Sequence, residues 1–183
     1  MSKKIIITGG LGYIGTELCK LYSGVSWNNK ILVIDNKFNS ERVNQLRNWN
    51  MDFIHGDILD KDLISYHFKD ADIVHHLAGI TDVPRTKSES SIEKDNLIKK
   101  VGQQGTQNIL DAVSDECKII FPSTHVVFEG VDKIKQDIKE NEEKKPLLSY
   151  AQSKASNEDQ IKNSKKNYVI LRLGSVYGYS SDT

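Results

Sequence analysis

The chain has 183 residues, of which 38% are hydrophobic and 27% charged, and this length and composition predict one globular domain with a core of ordinary size. Lysine and arginine together number 25, as do aspartate and glutamate, so the formal net charge is zero. This balance argues against sequence-independent binding to nucleic acid, which needs a basic excess.

The sequence carries few signals for a metal, a disulfide or a membrane. Cys19 and Cys117 are the two cysteines and lack metal-type spacing. His75 and His76 are adjacent in a predicted strand, where neighbouring side chains point to opposite faces, so we expect no shared metal. The longest apolar runs fall far short of the roughly 18 residues that span a bilayer, and the N-terminus lacks the apolar core of a signal peptide. We therefore expect a cytoplasmic protein with no membrane partner and no metal site.

Strand and helix signals alternate along the chain. Short runs rich in β-branched residues predict six strands, at residues 3–8, 30–35, 51–57, 71–79, 117–124 and 168–174. Helical periodicity predicts helices at residues 12–23, 60–68 and 93–114. The apolar face of the first is predicted to carry Ile14, Leu18 and Leu21, and that of the third Leu97, Val101, Ile109 and Val113.

The strand runs are continuously apolar rather than alternating, which is typical of strands buried on both faces of a parallel sheet. Their alternation with helices predicts an α/β fold, a doubly wound parallel sheet in three layers. The charged segment 132–145 is predicted to be a solvated loop or an exposed helix.

A glycine-rich loop joins the first predicted strand to the first predicted helix. In TGGLGYIG, residues 8–15, glycines stand at 9, 12 and 15. A tight turn, close approach of the backbone to a pyrophosphate and a free helix N-terminus are what a dinucleotide site requires, and this loop has the right context for it. Asp35 ends the second strand about 20 residues later, where such a fold places the carboxylate that binds the adenosine ribose. Because a carboxylate repels a 2′-phosphate, we expect NAD rather than NADP, although Lys37 lies nearby.

Further motifs follow in order: GDILD at 56–60, HLAG at 76–79, PST at 122–124, YAQSK at 150–154 and LRLGSVYG at 171–178. Together with the glycine loop and Asp35, they make the chain resemble the extended short-chain dehydrogenase/reductases, in particular the nucleotide-sugar epimerase group. The resemblance covers essentially the whole chain. It implies a single NAD-binding Rossmann domain over residues 1–183 and a nucleotide-sugar substrate, with a homodimer formed through two helices beside the sheet as the candidate assembly. Members of the family continue into a smaller substrate lobe, so we expect the chain to be a fragment of a longer two-lobed protein.

The resemblance implies a catalytic trio of Thr124, Tyr150 and Lys154. On a helix, Tyr150 and Lys154 share one face. Making the phenol half ionised at pH 7 needs a pKa shift of roughly 3 units, about 4 kcal/mol, which a neighbouring ammonium and an oxidised nicotinamide can supply. Lys154 is further expected to hold the nicotinamide ribose, and Thr124 to hydrogen-bond the reacting substrate oxygen, with Ser123 as the alternative.

The resemblance also implies a set of cofactor contacts. Besides Tyr150 and Lys154, the expected cofactor-binding residues are Gly9, Gly12, Tyr13, Ile14, Gly15, Asp35, Asn36, Asp57, Ile58, Leu77, Ala78 and Gly79. The chain departs from the family pattern at three positions: Gly102 replaces an asparagine, Phe128 a tyrosine, and Ser175 an asparagine that often touches the sugar nucleotide.

The implied reaction is NAD-dependent epimerisation of a nucleotide sugar through a transient ketone. A sugar-nucleotide reductase or dehydrogenase without epimerisation, and a non-catalytic NAD-binding sensor or scaffold, are the alternatives. A 4,6-dehydratase is disfavoured because His125 and Val126, rather than Asp and Glu, follow Thr124.

Overall fold

The structure is a computed structural model that describes residues 2–25, 28–81, 91–131 and 137–178. Its six strands form one parallel sheet in the order β3-β2-β1-β4-β5-β6. The strands are β1 (Lys4–Thr8), β2 (Lys30–Asp35), β3 (Asp52–His55), β4 (Ile73–His76), β5 (Lys118–Thr124) and β6 (Asn167–Leu173). The helices are α1 (Tyr13–Ser23), α2 (Ser40–Asn48), α3 (Lys61–Phe68), α4 (Ile92–Ala112) and α5 (Ser149–Asn163), with a 3₁₀ helix at His125–Phe128. All six predicted strands and all three predicted helices are present.

The central strand shows how the sequence builds three layers. Ile5, Ile6 and Ile7 of β1 are all fully buried. Ile5 and Ile7 pack in a cluster with α1 and α2, whereas Ile6 packs in a second cluster with α3, α4 and α5. Because successive strand residues face opposite sides, an unbroken apolar run needs a helical layer on each face. The predicted α/β doubly wound sheet with three layers is confirmed.

The two predicted helix faces hold in part: Leu18 of the first and Val101, Ile109 and Val113 of the other pack in the core as predicted, and the remaining positions are wrong. In α1, Ile14 is 39% and Leu21 69% exposed, and the buried positions are Gly15 and Cys19. The helix turns this small-residue face inward because Gly15 packs directly on the glycine loop. In α4, Leu97 is half exposed, and its neighbour Ile98 occupies the core.

Hydrophobic periodicity did not predict α2. In its segment, SERVNQLRN, the buried apolar residues are Val43 and Leu46. Two apolar positions are too few to produce a clear helical pattern of hydrophobicity. A start signal was nevertheless present: the Asn39 side chain accepts a hydrogen bond from the Arg42 amide, as an N-cap residue does.

The strand β6 is less buried than the others. Tyr168, Val169 and Leu171 each expose more than a third of their surface, so the expectation of strands covered on both faces fails at this edge. The described residues include no helix long and apolar enough to cross a bilayer.

Over its described part the charged segment is an exposed loop, as predicted, and backbone hydrogen bonds hold it to the rest of the fold. Residues 132–136 of the prediction lie outside the described residues, and 137–145 contain no helix. The Lys145 amide donates to the Val127 carbonyl at 2.8 Å, and the Gly130 amide donates to the Lys145 carbonyl at 2.9 Å. We call residues 137–148 the strap, because they run back along the 3₁₀ helix to the start of α5.

Candidate cofactor and catalytic site

The order of the strands locates a crevice. The chain moves outward from β1 to β2 and β3 on one side, and from β4 to β5 and β6 on the other. Such a switch point, at the carboxyl ends of β1 and β4, is where open α/β sheets bind their ligands. The glycine loop follows β1 and the HLAG segment follows β4, so both motifs lie at this crevice.

Gly9 lets these two loops touch. Its φ is +67°, and a Cβ atom built on it would lie 2.7 Å from the Ala78 nitrogen and 3.0 Å from the Leu77 carbonyl carbon. The Ala78 amide in turn donates to the Thr8 hydroxyl at 3.1 Å. A side chain at position 9 would both strain the backbone and separate the loops.

The N-terminus of α1 is left open to an anion. Gly12 is its N-cap and offers no side-chain hydrogen bond, and the first turn carries no acidic residue. Tyr13 and Ile14 are the first two helical residues, so their amides have no acceptor within the helix. Gly15 brings the helix onto the loop, since a Cβ there would lie 2.4 Å from the Gly9 oxygen. These features fit a pyrophosphate group.

Asp35 is held rigidly at the end of β2. Its side chain is buried, one oxygen accepts from the Leu11 amide and the other from the Lys37 amide, both at 2.9 Å. The buried Arg42 guanidinium donates to the Leu11 carbonyl. Each carboxylate oxygen keeps a second lone pair, so Asp35 can accept hydrogen bonds from ribose hydroxyls without giving up its contact to the glycine loop.

Other predicted cofactor residues lie in the loops that follow the carboxyl ends of β2, β3 and β4. The Asn36 side-chain amide donates to Asp57 at 3.0 Å, which joins the ends of β2 and β3. Ile58 is buried against Gly105 of α4, so its side chain belongs to the core and its backbone alone remains for a ligand. Gly79 is exposed, and a Cβ there would meet nothing within 4 Å; the structure gives no steric reason for glycine at that position.

Two of the three predicted catalytic residues, Thr124 and Lys154, are tied to the carboxyl end of β5. Thr124 is the last residue of that strand, is buried, and accepts the Val126 amide at 3.3 Å. The Lys154 ammonium donates to the Pro122 carbonyl at 2.8 Å and lies 4.5 Å from the centre of the Phe121 ring. Tyr150 is half-buried and precedes Lys154 by one turn of α5.

Ser123, the alternative hydroxyl, is already engaged. Its Oγ donates to the buried Glu158 carboxylate at 2.6 Å. Thr124 is therefore the better candidate to meet a substrate oxygen, and this part of the trio stays a prediction.

The expected acidic tyrosine is absent from the chain without cofactor, and it stays a prediction for the NAD-bound protein. Burial raises the pKa of Tyr150 above its ordinary value, and Lys154 does not offset this. The Lys154 ammonium is turned to Pro122 and Phe121 on β5, and burial lowers its own pKa to about 8, against the opposing effect of Glu158. The phenol is thus neutral at pH 7, and an additional positive charge is needed to ionise it.

The two adjacent histidines face opposite layers, as expected. The His75 ring nitrogen Nε2 lies 2.7 Å from the Tyr22 hydroxyl of α1. His76 lies between Thr8 and Thr106 of α4, with Nδ1 3.2 Å and Nε2 2.9 Å from their hydroxyls. Burial lowers the pKa of His75 to about 4 and, with the Lys154 charge, that of His76 to about 3. Both rings are neutral structural groups near pH 7.

Sequence reasoning missed the residues that fix α5. This helix begins after Leu148 without a side-chain cap of its own. Glu129, directly after the 3₁₀ helix, accepts the Leu147 and Leu148 amides at 2.7 and 2.8 Å through Oε1, and so anchors the two residues that lead into α5. Further along, Glu158 is fully buried and pairs with Arg172 of β6. The sequence did hold one signal for this pairing: Glu158 lies one helical turn after Lys154 and therefore on the same face of α5.

The cavity of about 490 Å³ beside the site lies between the 3₁₀ helix and the strap. Phe128, Ile138, Lys139 and Arg172 are among the residues that line it, whereas Thr124, Tyr150 and Lys154 do not. Its lining does include His125 and Val126, which directly follow Thr124 in the chain.

The lowered pKa of Lys154 predicts a specific dependence of stability on pH. Between about pH 8 and the ordinary lysine value near 10.4, the unfolded chain binds this proton and the folded chain has released it, so raising the pH favours folding. We expect the free energy of unfolding of the wild type to rise by about 1 to 3 kcal/mol from pH 7 to pH 10, relative to Lys154→Met. Urea unfolding of both proteins at the two pH values measures this difference. Parallel pH profiles would contradict it.

Comparison with known proteins gives the family. Residues 6–181 match the sequence model of the 3-beta hydroxysteroid dehydrogenase/isomerase family. A dTDP-D-glucose 4,6-dehydratase of Dictyostelium discoideum is 30% identical over 96% of this chain and 44% of its own length. A CDP-paratose 2-epimerase of Salmonella typhi is 30% identical over 72% of this chain and 40% of its own length. The chain therefore spans less than half the length of these two relatives.

A solved structure has the same fold. UDP-glucuronic acid 4-epimerase from Bacillus cereus, in complex with NAD, superposes with a TM-score of 0.77 at 28% identity, covering 96% of this chain and 57% of the other. The matching architecture, the glycine loop at the switch point and the family match over residues 6–181 agree. The chain belongs to the 3-beta hydroxysteroid dehydrogenase/isomerase family, among the extended short-chain dehydrogenase/reductases.

Proposed function

We propose that this protein is an NAD-dependent epimerase of a nucleotide sugar, working through a transient ketone. The proposal is supported by three features at the carboxyl edge of the sheet: the open N-terminus of α1, the rigid Asp35 carboxylate, and Thr124 at the end of β5 with the Lys154 ammonium bound to the same strand. An epimerase and a 4-epimerase structure among the relatives support this choice. The single domain, the nucleotide-sugar partner, the homodimer and the substrate lobe are part of the proposal.

The residues present fit NAD. The first-turn amides of α1 would hold the pyrophosphate, Asp35 the adenosine ribose and Lys154 the nicotinamide ribose. When bound, NAD supplies the acceptor and donor of a hydride. Its oxidised form also adds the positive charge that the buried phenol of Tyr150 lacks in the chain alone.

Two proton transfers by Tyr150 complete the proposed cycle. As phenolate it removes a proton from a sugar hydroxyl, whose oxygen Thr124 hydrogen-bonds, while the carbon is oxidised to a ketone. The ketone then presents its other face, and the Tyr150 phenol returns the proton as the carbon is reduced. The raised pKa of Tyr150 suits the second, proton-donating step.

A direct test separates this reaction from the alternatives. The protein is incubated with NAD and UDP-, dTDP- and CDP-sugars, and with a 3β-hydroxysteroid for contrast, and products are identified by NMR. Interconversion of two sugar epimers without net NADH formation is the expected result. Stoichiometric NADH formation would indicate a dehydrogenase, and NAD binding without turnover of any substrate a sensor.

Asp35 is predicted to set the choice of cofactor. Replacing it with asparagine removes the charge and one of the two oxygen acceptors, so affinity for NADH is expected to fall about 10-fold and the preference over NADPH to shrink. Fluorescence titration with both nucleotides measures this. Asp52→Asn, an exposed carboxylate at the amino end of β3, is the matched control. An unchanged NADH-to-NADPH ratio in Asp35→Asn would remove Asp35 from the cofactor site.

A further inference from the structure

Behind the catalytic trio lies a cluster of charges that the proposed reaction does not use. We call it the Glu158 cluster, and it comprises Ser123, Lys144, Glu158, Lys162 and Arg172. Glu158 is at its centre and is fully buried. Arg172 binds it through two bonds, Nε to Oε1 at 2.9 Å and Nη2 to Oε2 at 2.7 Å.

The cluster joins four parts of the molecule at one carboxylate. Ser123 on β5 and Arg172 on β6 are register partners, and both donate to Glu158 on α5. Lys144 brings in the strap: its Nζ is 3.6 Å from Glu158 Oε2 and donates to the Ala155 carbonyl at 3.0 Å. Arg172 also holds the strap through the Glu140 carbonyl at 2.8 Å.

Two neighbouring residues of β5 are tied to two successive turns of α5. Pro122 accepts from Lys154, and Ser123 donates to Glu158 four residues later. The next residue of the strand is Thr124. The register between β5 and α5, and with it the relative placement of Thr124, Tyr150 and Lys154, is therefore set by these two bonds.

The charge of Glu158 acts on Lys154 as well. Residues four apart on a helix lie about 5 to 6 Å apart at their Cβ atoms. Lys154 is buried and is faced by His76 of β4, which is neutral, and by Glu158 of its own helix. Around Glu158 itself stand the cations Arg172, Lys144 and Lys162, which leave its carboxylate ionised.

We propose that Glu158 is a positioning residue of the cofactor site: its carboxylate fixes the end of β5 through Ser123 and places a negative charge one helical turn from the buried Lys154 ammonium, which it stabilises. The inference rests on the proposed function for the role of Lys154 toward the nicotinamide ribose. Its electrostatic part concerns this chain alone and is measurable without substrate.

The test compares Glu158→Gln with Asp159→Asn. Both remove one negative charge from α5 next to Lys144, but Asp159 is an exposed surface partner, 2.6 Å from the Lys144 ammonium. The midpoint of Lys154 ionisation is read from the ¹³C shift of its ε-methylene during a pH titration, with Lys154→Met identifying the signal. We expect Glu158→Gln to lower this midpoint by about 0.5 to 1 pH unit and Asp159→Asn to leave it in place. NADH affinity at pH 8 should fall about 3- to 10-fold in Glu158→Gln alone.

Further variants separate structure from charge. Glu158→Asp keeps the charge but is too short for the Ser123 bond, so the midpoint should stay near the wild-type value while NADH affinity falls. Lys144→Met removes a cation near Glu158 and should raise the midpoint of Lys154 ionisation. This upward shift tests the inference even if Glu158→Gln does not fold. A purely structural role would lower thermal stability without moving any midpoint, and that result would overturn the inference.

The outcomes also separate this inference from the proposed function. NADH binding that Lys154→Met leaves unchanged, or no NADH binding by the wild type, refutes the proposed cofactor role of Lys154. Wild-type binding that is lost in Lys154→Met, with Glu158→Gln and Asp159→Asn indistinguishable in midpoint and affinity, refutes the role of Glu158 and leaves the proposed function standing.

Discussion

Replacing Tyr150 with phenylalanine is expected to lower turnover by about 10² to 10⁴-fold while NADH affinity and thermal stability stay close to the wild type. Phenylalanine keeps the ring that fills the half-buried position and removes only the hydroxyl. The proposed reaction transfers a proton through that hydroxyl in both directions. Both the oxidation of the sugar to the ketone and the reduction of the ketone should therefore become slower. Initial rates on the sugar identified in the product screen, with parallel NADH titration, measure the effect.

The pH dependence of the turnover rate is expected to report the ionisation of Tyr150 independently. Burial raises the pKa of Tyr150 in the chain alone, so the phenolate becomes available only when a bound positive charge lowers that pKa. The wild-type rate for the oxidation step should therefore rise with pH up to an apparent pKa below that of free tyrosine, and Tyr150→Phe should lack this rise. Tyr66→Phe, a change on the exposed face of α3, is the control. Turnover by Tyr150→Phe equal to this control would exclude Tyr150 as the acid and base.

The parts of the fold that the sequence predicted correctly are those that local patterns determine. Ile5, Ile6 and Ile7 form a run too apolar for any place but a central strand, and the glycines around them permit the backbone contacts that the structure shows. Asp35 was predictable for a similar reason, since its position follows directly from the end of a buried strand. These features depend on neighbours within the same segment.

Features that depend on distant partners were not predictable. Lys154 was expected to act on Tyr150 one turn away, but its ammonium bonds Pro122, 32 residues earlier in the chain. The pairing of Glu158 with Arg172 required knowing that β6 lies beside β5. The strap is the exposed loop that its charges predicted, but its contacts to α5 and β6, such as Lys144 with Glu158 and the Glu140 carbonyl with Arg172, could not be predicted from those charges.

The buried face of α1 was also not predictable from hydrophobic periodicity. Periodicity, which weighs hydrophobicity alone, favoured Ile14, Leu18 and Leu21 as the buried face, but of these only Leu18 packs against the core. The structure buries Gly15 because what is needed there is absence of a side chain: a Cβ would lie 2.4 Å from the Gly9 oxygen and 2.6 Å from the Gly10 Cα. Both are backbone atoms, which have little freedom to move away.

Gly15→Ala is accordingly expected to reduce NADH affinity by at least about 100-fold and to lower the free energy of unfolding by about 1 to 3 kcal/mol, because α1 must shift off the glycine loop. Its first-turn amides would then no longer point at the pyrophosphate. Gly24→Ala is the matched control on the same helix: at this C-cap the nearest atom to a new Cβ is 3.6 Å away and φ is −81°, so alanine fits. Urea unfolding and NADH titration of both variants distinguish the two positions. If Gly15→Ala bound NADH as tightly as Gly24→Ala, the approach of α1 to the glycine loop would not be what creates the anion site, and the cofactor would have to be held elsewhere along the sheet edge.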